Sequence, residues 1–157
     1  AQYAKERGMT ISIEILQGTL INSVDQWFKL YNEVGMDNVF VTVDTGTFYT
    51  TIKPKMPIKE AIHKLGKHIN CVHVKDEVGF PNIMQCQHVW YGAGYVDFKE
   101  MAQALKEVDY SGYCAVEWEG WQNGGVYGVG DPGGIGLADF DMVASEAKLF
   151  LEEEGWN

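Results

Sequence analysis

Four short stretches of the sequence each carry, near their carboxyl end, a residue that can bind a metal ion or transfer a proton. The stretches are TISIEIL, VFVTVD, INCVHV and GYCAVEW, and their β-branched composition predicts strands. Because successive side chains of a strand point to opposite faces, one face of each stretch is aliphatic and the other carries the ionisable group. The groups selected in this way are Glu14, Asp44, His73 and Glu117.

Three carboxylates and one imidazole at one edge of a sheet have the composition of a divalent cation site. Burying carboxylates together is unfavourable unless a positive charge lies between them. Oxygen ligands with one imidazole nitrogen suit Mn²⁺, Mg²⁺ or Co²⁺ better than metals that prefer thiolates. At any single position the alternative is a solvated acid or a helix cap. The agreement in parity and position across four strands favours a shared site.

Helical patterns separate the four strands along the chain. Ser23 with Gln26, and Asp97 with Glu100, have the spacing of capping boxes, which open helices. The predicted helices are SVDQWFKLYNEV, IKEAIHKL, DFKEMAQALKEV and DFDMVASEAKLFLEE, and the first eight residues have the pattern of a helix tail. A loop is predicted before IKEAIHKL, and residues 77–96 are predicted to be irregular. The strict alternation of helices and strands predicts an α/β fold with a parallel sheet. In such a sheet the carboxyl ends of all strands meet at one rim.

Further side chains near the carboxyl ends of the predicted strands are candidates for substrate contact or for support of the site. Lys75 shares the inward parity of His73 and is predicted to bind a substrate oxygen or phosphate, with a counter-ion to the acidic rim as the alternative. His88, in the segment after the third strand, and Trp118, the last residue of the fourth predicted strand, are also predicted to contact substrate. Asp76 is expected to orient a neighbour or to cap a turn.

Composition and charge restrict the classes of function. The chain has 157 residues, enough for one compact domain, and a formal net charge of -10, which disfavours binding to nucleic acid or to an anionic membrane. No apolar stretch approaches the roughly 20 residues that span a bilayer. Three cysteines without CxxC spacing indicate reduced thiols and a cytoplasmic protein. The two remaining histidines, His63 and His68, are expected to be structural or solvated.

The motifs ISIEI, VTVDTG, VHVKD and GAGYVDFKEMAQALKEVDYSGYCAVEWE resemble, in this order, the C-terminal half of the xylose isomerase-like TIM barrels. The most specific part of the resemblance is the block at residues 92–117. The resemblance implies that residues 1–157 form a single domain that is incomplete at the N-terminus. This domain would supply strands five to eight of an eight-stranded barrel. Either the chain is a fragment or a partner chain completes the barrel, since an open sheet of four strands would expose unpaired edges.

The resemblance also implies a metal centre and a reaction. Epimerase-like members hold their metal with a Glu, an Asp, a His and a Glu, which carry over to Glu14, Asp44, His73 and Glu117. One divalent ion is implied, with Mn²⁺ preferred and Mg²⁺ or Co²⁺ as alternatives. The implied enzyme is a sugar isomerase or epimerase: Glu14 and Glu117 act as base and acid on a sugar or polyol-derived ketone, through a metal-stabilised enediolate. A homo-oligomer is expected.

The sequence also allows other functions. Elimination, as in inosose dehydratases or C-glycoside deglycosidases, needs the same first step. A nuclease like endonuclease IV would need further histidines and a basic groove, and a non-catalytic barrel half would bind no metal. Thr47 stands where ketose 3-epimerases have a histidine that contacts substrate, and this weakens that particular assignment.

Overall fold

A parallel sheet lies at the centre of the computed structural model, which describes residues 1–16, 18–50, 56–80, 85–117 and 140–156. Its four strands are β1 (Ile11–Glu14), β2 (Val39–Asp44), β3 (Ile69–Val74) and β6 (Tyr113–Val116). Across the sheet they are hydrogen-bonded in the order β1-β2-β3-β6. The predicted α/β fold with parallel strands is therefore confirmed, while the position of these strands within a complete barrel stays a prediction.

Helices alternate with the strands at the predicted places, except for one short helix directly after β2. They are α1 (Gln2–Lys5), α2 (Val24–Val34), α3 (Thr45–Thr50), α4 (Ile58–Leu65), α5 (Phe98–Glu107) and α6 (Phe140–Glu153), with a 3-10 turn at Gly66–His68. The Oγ of Ser23 accepts the N–H of Gln26 at 3.3 Å, and Oδ1 of Asp97 accepts the N–H of Glu100 at 2.9 Å. Both predicted helix starts are thus capped as expected. None of the described helices is long and apolar enough to cross a membrane.

Two elements differ from the sequence prediction. The short helix α3 begins directly after β2, where a loop was predicted, because Oδ1 of Asp44 accepts the N–H of Thr47 at 2.7 Å and organises the turn. Residues 77–96 were predicted to be irregular, and this prediction is wrong in part. An antiparallel hairpin of β4 (Asp76–Phe80) and β5 (Gln85–Val89) occupies much of the segment.

The core lies between the aliphatic face of the sheet and the helices. Val41, Val43, Val72 and Val74 are fully buried and belong to one hydrophobic cluster with residues of α2, α4 and α5. Burial of such side chains is the main favourable contribution to folding. The opposite face of the sheet is free to carry polar groups, and the register places Asp44 beside His73 on neighbouring strands.

Candidate metal centre

The four residues selected by parity converge at the carboxyl ends of the strands. Glu14, Asp44, His73 and Glu117 each offer one ligand atom, and these atoms all lie within 4.8 Å of one another. Glu117 follows the last residue of β6, and its N–H donates to the carbonyl oxygen of Val74 at 2.9 Å. This backbone hydrogen bond continues the ladder and holds Glu117 at the rim beside His73.

The cluster has a buried floor and a side that solvent reaches. The side chain of Asp44 is fully buried, whereas those of Glu14, His73 and Glu117 are 29%, 30% and 27% exposed. Nδ1 of His73 lies 3.1 Å from Oε2 of Glu117 and 3.7 Å from Oε2 of Glu14. The arrangement leaves one face of the cluster accessible to a small molecule.

The atoms at the centre of the cluster fit a divalent cation. Oδ2 of Asp44 and Nδ1 of His73 are buried and make no hydrogen bond within the described part of the chain. Buried polar atoms are normally hydrogen-bonded, whereas these two have only ion-pair contacts, with Nζ of Lys75 at 3.0 Å and with Oε2 of Glu117 at 3.1 Å. A cation would satisfy both, and three carboxylates with one imidazole are a donor set that divalent ions accept.

Lys75 lies beside this cluster rather than in open solvent. Its Nζ is 3.0 Å from Oδ2 of Asp44 and 3.6 Å from Oε2 of Glu117, and its side chain is 3% exposed. The main chain of Lys75 is also tied to the preceding turn, because its N–H donates to Oγ1 of Thr45 at 2.9 Å. This position matches the counter-ion alternative. A contact between Lys75 and substrate stays a prediction.

His88 is part of a buried polar layer formed by the hairpin. It pairs in register with Glu77, and its Nε2 lies 3.6 Å from Oε1 of Glu77, which in turn lies 3.8 Å from Nζ of Lys75. The predicted contact of His88 with substrate stays a prediction, and Trp118 lies outside the described residues. Glu77 was missed by the sequence analysis. KDEVG begins with three consecutive charged residues and shows no alternation, so the sequence offered no periodic signal for Glu77.

The remaining two histidines are away from the cluster. His63, in α4, is exposed, and its Nε2 lies 2.7 Å from Oε2 of Glu107. His68 packs against the aromatic rings of Trp27 and Tyr31, with centroid separations of 5.2 and 4.6 Å. Both contacts agree with the structural roles expected for these residues.

Candidate acidic and imidazole ligands gathered at the carboxyl ends of parallel strands are typical of α/β barrel proteins, which carry their functional sites at this end of the sheet. The chain belongs to the xylose isomerase-like TIM barrel family, whose family model matches residues 1–133.

Three curated relatives of this chain are named as an inosose isomerase, an L-ribulose 3-epimerase and an inosose dehydratase. The inosose isomerase of Bacillus subtilis is 29% identical over 118 residues, which cover 73% of this chain and 41% of that protein. The L-ribulose 3-epimerase of Mesorhizobium japonicum is 30% identical, over 71% of this chain and 34% of that protein. The inosose dehydratase of Histophilus somni is 28% identical, over 76% and 44%. The chain thus spans less than half the length of these relatives.

Solved structures share the fold over nearly the whole chain. The IolI protein, crystallised with a bound zinc atom, has a TM-score of 0.73 at 23% identity and is matched over 98% of this chain and 51% of its own. The D-allulose 3-epimerase of Methylomonas sp. in complex with D-allulose has a TM-score of 0.70 at 21% identity, with coverage of 98% and 51%. A xylose isomerase-like TIM barrel protein of Mycobacterium smegmatis in complex with magnesium has a TM-score of 0.61 at 21% identity, over 98% and 46%.

Proposed function

We propose that this chain carries the metal centre and the catalytic carboxylates of a divalent-metal-dependent sugar isomerase or epimerase. The observation that carries the proposal is the convergence of four ligand atoms, from four separate strands, within 4.8 Å. The sequence relatives, which are named as isomerases, epimerases and a dehydratase, support the same class of chemistry.

The proposed ligands of the ion are Glu14, Asp44, His73 and Glu117. We propose Mn²⁺, with Mg²⁺ or Co²⁺ as alternatives, because oxygen donors dominate the set. Two proteins of the same fold hold zinc and magnesium in their crystal structures, which supports a divalent ion without selecting one. When bound, such an ion polarises a carbonyl oxygen and so acidifies the neighbouring C–H bond.

Proton transfer is assigned to the two glutamates of the cluster. Glu14 and Glu117 come from the two outer strands of the described sheet and both contact Nδ1 of His73. One carboxylate removes the proton from the carbon next to the carbonyl, which leaves an enediolate, and a carboxylic acid returns the proton to the same or the adjacent carbon. Return to the opposite face of the same carbon gives epimerisation. Return to the former carbonyl carbon, with transfer of the hydroxyl proton from one oxygen of the enediolate to the other, gives isomerisation.

The substrate is proposed to be a sugar or polyol-derived ketone that enters from the exposed side of the cluster. Lys75, His88 and Trp118 are the proposed substrate contacts, and Lys75 additionally offsets the charge of the carboxylates that it approaches. A buried ammonium next to carboxylates reduces the repulsion between them.

Elimination is the second candidate, because one relative is named as an inosose dehydratase. The same carboxylate would remove the proton next to the carbonyl, and a hydroxyl group on the following carbon would leave as water. The two reactions differ in product mass, since elimination removes one water and isomerisation or epimerisation removes none.

We infer that residues 1–157 form one domain that supplies the C-terminal half of a barrel. Within the described residues, β1 and β6 each pair with a neighbour on one side only, and the chain covers about half of the solved structures that it matches. The other strands would come from the rest of a longer polypeptide or from a partner chain. The cytoplasmic location and the homo-oligomer remain proposals, with free thiols at Cys71 and Cys114 in support of the first.

Metal analysis of the purified protein tests the proposed centre. We expect about one Mn²⁺ or another divalent ion per chain, and loss of this ion in Glu14→Gln and Asp44→Asn. Asp25→Asn is the matched control, because Asp25 pairs with Lys64 on the surface and lies outside the cluster. A wild-type protein that binds no divalent ion, with the other barrel half supplied, would contradict the proposal.

Deuterium exchange then tests the proposed chemistry. When a ketose is turned over in D₂O, we expect solvent deuterium at the carbon next to the carbonyl, and a much slower rate in Glu14→Gln. Turnover without incorporation would indicate transfer of a hydride instead of a proton and would overturn the assignment of the glutamates as base and acid.

A further inference from the structure

The carboxylate of Asp76 is the centre of a backbone turn rather than part of the metal cluster. The Asp76 side chain is almost fully buried and accepts hydrogen bonds from four main-chain N–H groups. Oδ1 accepts from Glu77 at 2.9 Å and Val96 at 3.3 Å, and Oδ2 accepts from Gly92 at 2.9 Å and Gly94 at 2.8 Å. Each oxygen therefore accepts two hydrogen bonds, which uses both of its lone pairs. Asp76 is held as a structural acceptor and has no lone pair directed at a substrate.

Two glycines allow the chain to wrap closely around Asp76. A Cβ at Gly94 would lie 2.6 Å from Cγ of Asp76 and 2.7 Å from the carbonyl oxygen of Glu77, so no larger residue fits. Gly92 has a φ of +84°, in the left-handed region, and a Cβ there would lie 2.8 Å from the ring of Phe150. We call residues 91–96, wrapped around this carboxylate, the Asp76 clamp. The two glycines of the GAG sequence thus let the backbone pass close to the buried carboxylate of Asp76.

The clamp begins with a tyrosine that reaches the metal cluster. The hydroxyl of Tyr91 donates to the carbonyl oxygen of Val74 at 2.7 Å and lies 3.4 Å from the carbonyl oxygen of Glu117. The hydroxyl thus bridges the ends of β3 and β6. The ring of Tyr91 packs against Phe98 and Phe150, with centroid separations of 5.9 and 6.3 Å. Its position is therefore fixed from the clamp on one side and from the helices on the other.

The charge environment keeps this hydroxyl protonated. Burial raises the pKa of Tyr91, and the nearby carboxylates of Glu117 and Asp76 raise it further. A neutral tyrosine keeps its O–H donor for the hydrogen bond to Val74.

We propose that Asp76 and Tyr91 are positioning residues that set the distance between Glu117 and His73. This inference rests on the proposed function, because it assigns these residues to the metal centre described above. Asp76 fixes the clamp, the clamp fixes Tyr91, and Tyr91 ties the main chain at Glu117 to the strand that carries His73. Outer-shell partners of this kind typically change metal affinity by about 10–100-fold when removed.

Tyr91 is compared with a second tyrosine whose hydroxyl also donates to a main-chain carbonyl of the sheet. Tyr91 bonds the carbonyl of Val74 at the carboxyl end of β3 and lies 3.4 Å from that of Glu117, whereas the hydroxyl of Tyr110 donates to the carbonyl oxygen of Tyr113 at 2.6 Å, at the amino end of β6. Each is changed to phenylalanine, and Mn²⁺ affinity is measured by titration calorimetry together with the melting temperature of the metal-free protein. We expect Tyr91→Phe to weaken Mn²⁺ binding by about tenfold or more and Tyr110→Phe to leave it unchanged.

Asp76→Asn supplies a second variant for the clamp. Its amide group replaces one acceptor oxygen by a donor that faces N–H groups, so we expect weaker Mn²⁺ binding in the folded fraction, in the direction of Tyr91→Phe. Equal Mn²⁺ affinity in wild type and Tyr91→Phe would overturn this inference and leave the proposed function intact. A wild-type protein that binds no divalent ion, with the other barrel half supplied, would overturn both.

Discussion

His68 and His73 lie five residues apart at opposite ends of the same strand, and their surroundings have nothing in common. His68 precedes β3 and is enclosed by the rings of Trp27, Phe28 and Tyr31, with centroid separations between 4.6 and 5.7 Å. His73, near the carboxyl end of β3, faces carboxylates instead, with Nδ1 3.1 Å from Oε2 of Glu117. Histidine thus serves as a packing residue at the amino end of the strand, as His68, and as a candidate metal ligand at the carboxyl end, as His73.

The difference follows from the direction of the parallel strands. All four strands of the sheet end at one rim, so the polar groups that follow them are collected there. Their amino ends meet the ends of the helices, where apolar side chains from α2 complete the core. We conclude that the two ends of the sheet divide stability and chemistry between them. This division can be tested by variants that should affect only one end.

The largest effect is expected from a substitution in the core at the amino end of the sheet. Trp27 is fully buried, stacks on Tyr31 and touches His68, so Trp27→Ala removes a large side chain from the core. We expect a loss of about 3–5 kcal/mol in the free energy of unfolding, measured by urea denaturation. Mn²⁺ affinity of the folded fraction should be unchanged. A loss below about 1 kcal/mol would show that this end of the sheet is less important to stability than its packing indicates.

The second largest effect is expected when His73 and His68 are each replaced by alanine. His73→Ala should weaken Mn²⁺ binding by more than about 100-fold, because removing even an outer-shell partner costs about 10–100-fold. His68→Ala should lower stability and leave the Mn²⁺ affinity unchanged. Titration calorimetry and thermal melting of both variants measure the two quantities separately. Similar losses of metal affinity in both would contradict the division of the sheet into two functional ends.

The smallest effect is a pH dependence at the amino end. Burial, with a smaller contribution from Lys67, lowers the pKa of His68 below its ordinary value of 6.5. The folded protein thus favours neutral His68, and the unfolded chain binds more protons in the window just below pH 6.5. Stability contributed by His68 is therefore present above pH 6.5 and is lost as the pH falls through the folded pKa.

An NMR titration of the His68 ring checks this prediction, and its midpoint should lie below 6.5. His68→Phe keeps an aromatic ring in the same place and should remove this part of the pH dependence of unfolding. A midpoint at or above 6.5 would contradict the burial of His68 among the aromatic rings.

Much of the fold and of the candidate site could be predicted because their signals are local. The capping residues Ser23 and Asp97 mark helix starts within three positions, and the alternation of β-branched residues fixes which face of each strand carries the acid or histidine. The hairpin of β4 and β5 was not predicted. Its buried positions carry Asp76, Glu77 and His88 in place of apolar residues, so the usual pattern of a half-buried strand is missing.

The sequence by itself determined the parallel alternation of helices and strands and the identity of the four rim residues, since both follow from periodicity over a few neighbouring positions. Only the tertiary structure decided that Lys75 lies against Asp44, that Glu77 stands beside His88, and that Asp76 gathers N–H groups up to 20 residues away along the chain. These contacts depend on strand register and on the path of a loop around a buried charge. Such long-range geometry leaves no periodic trace in the sequence.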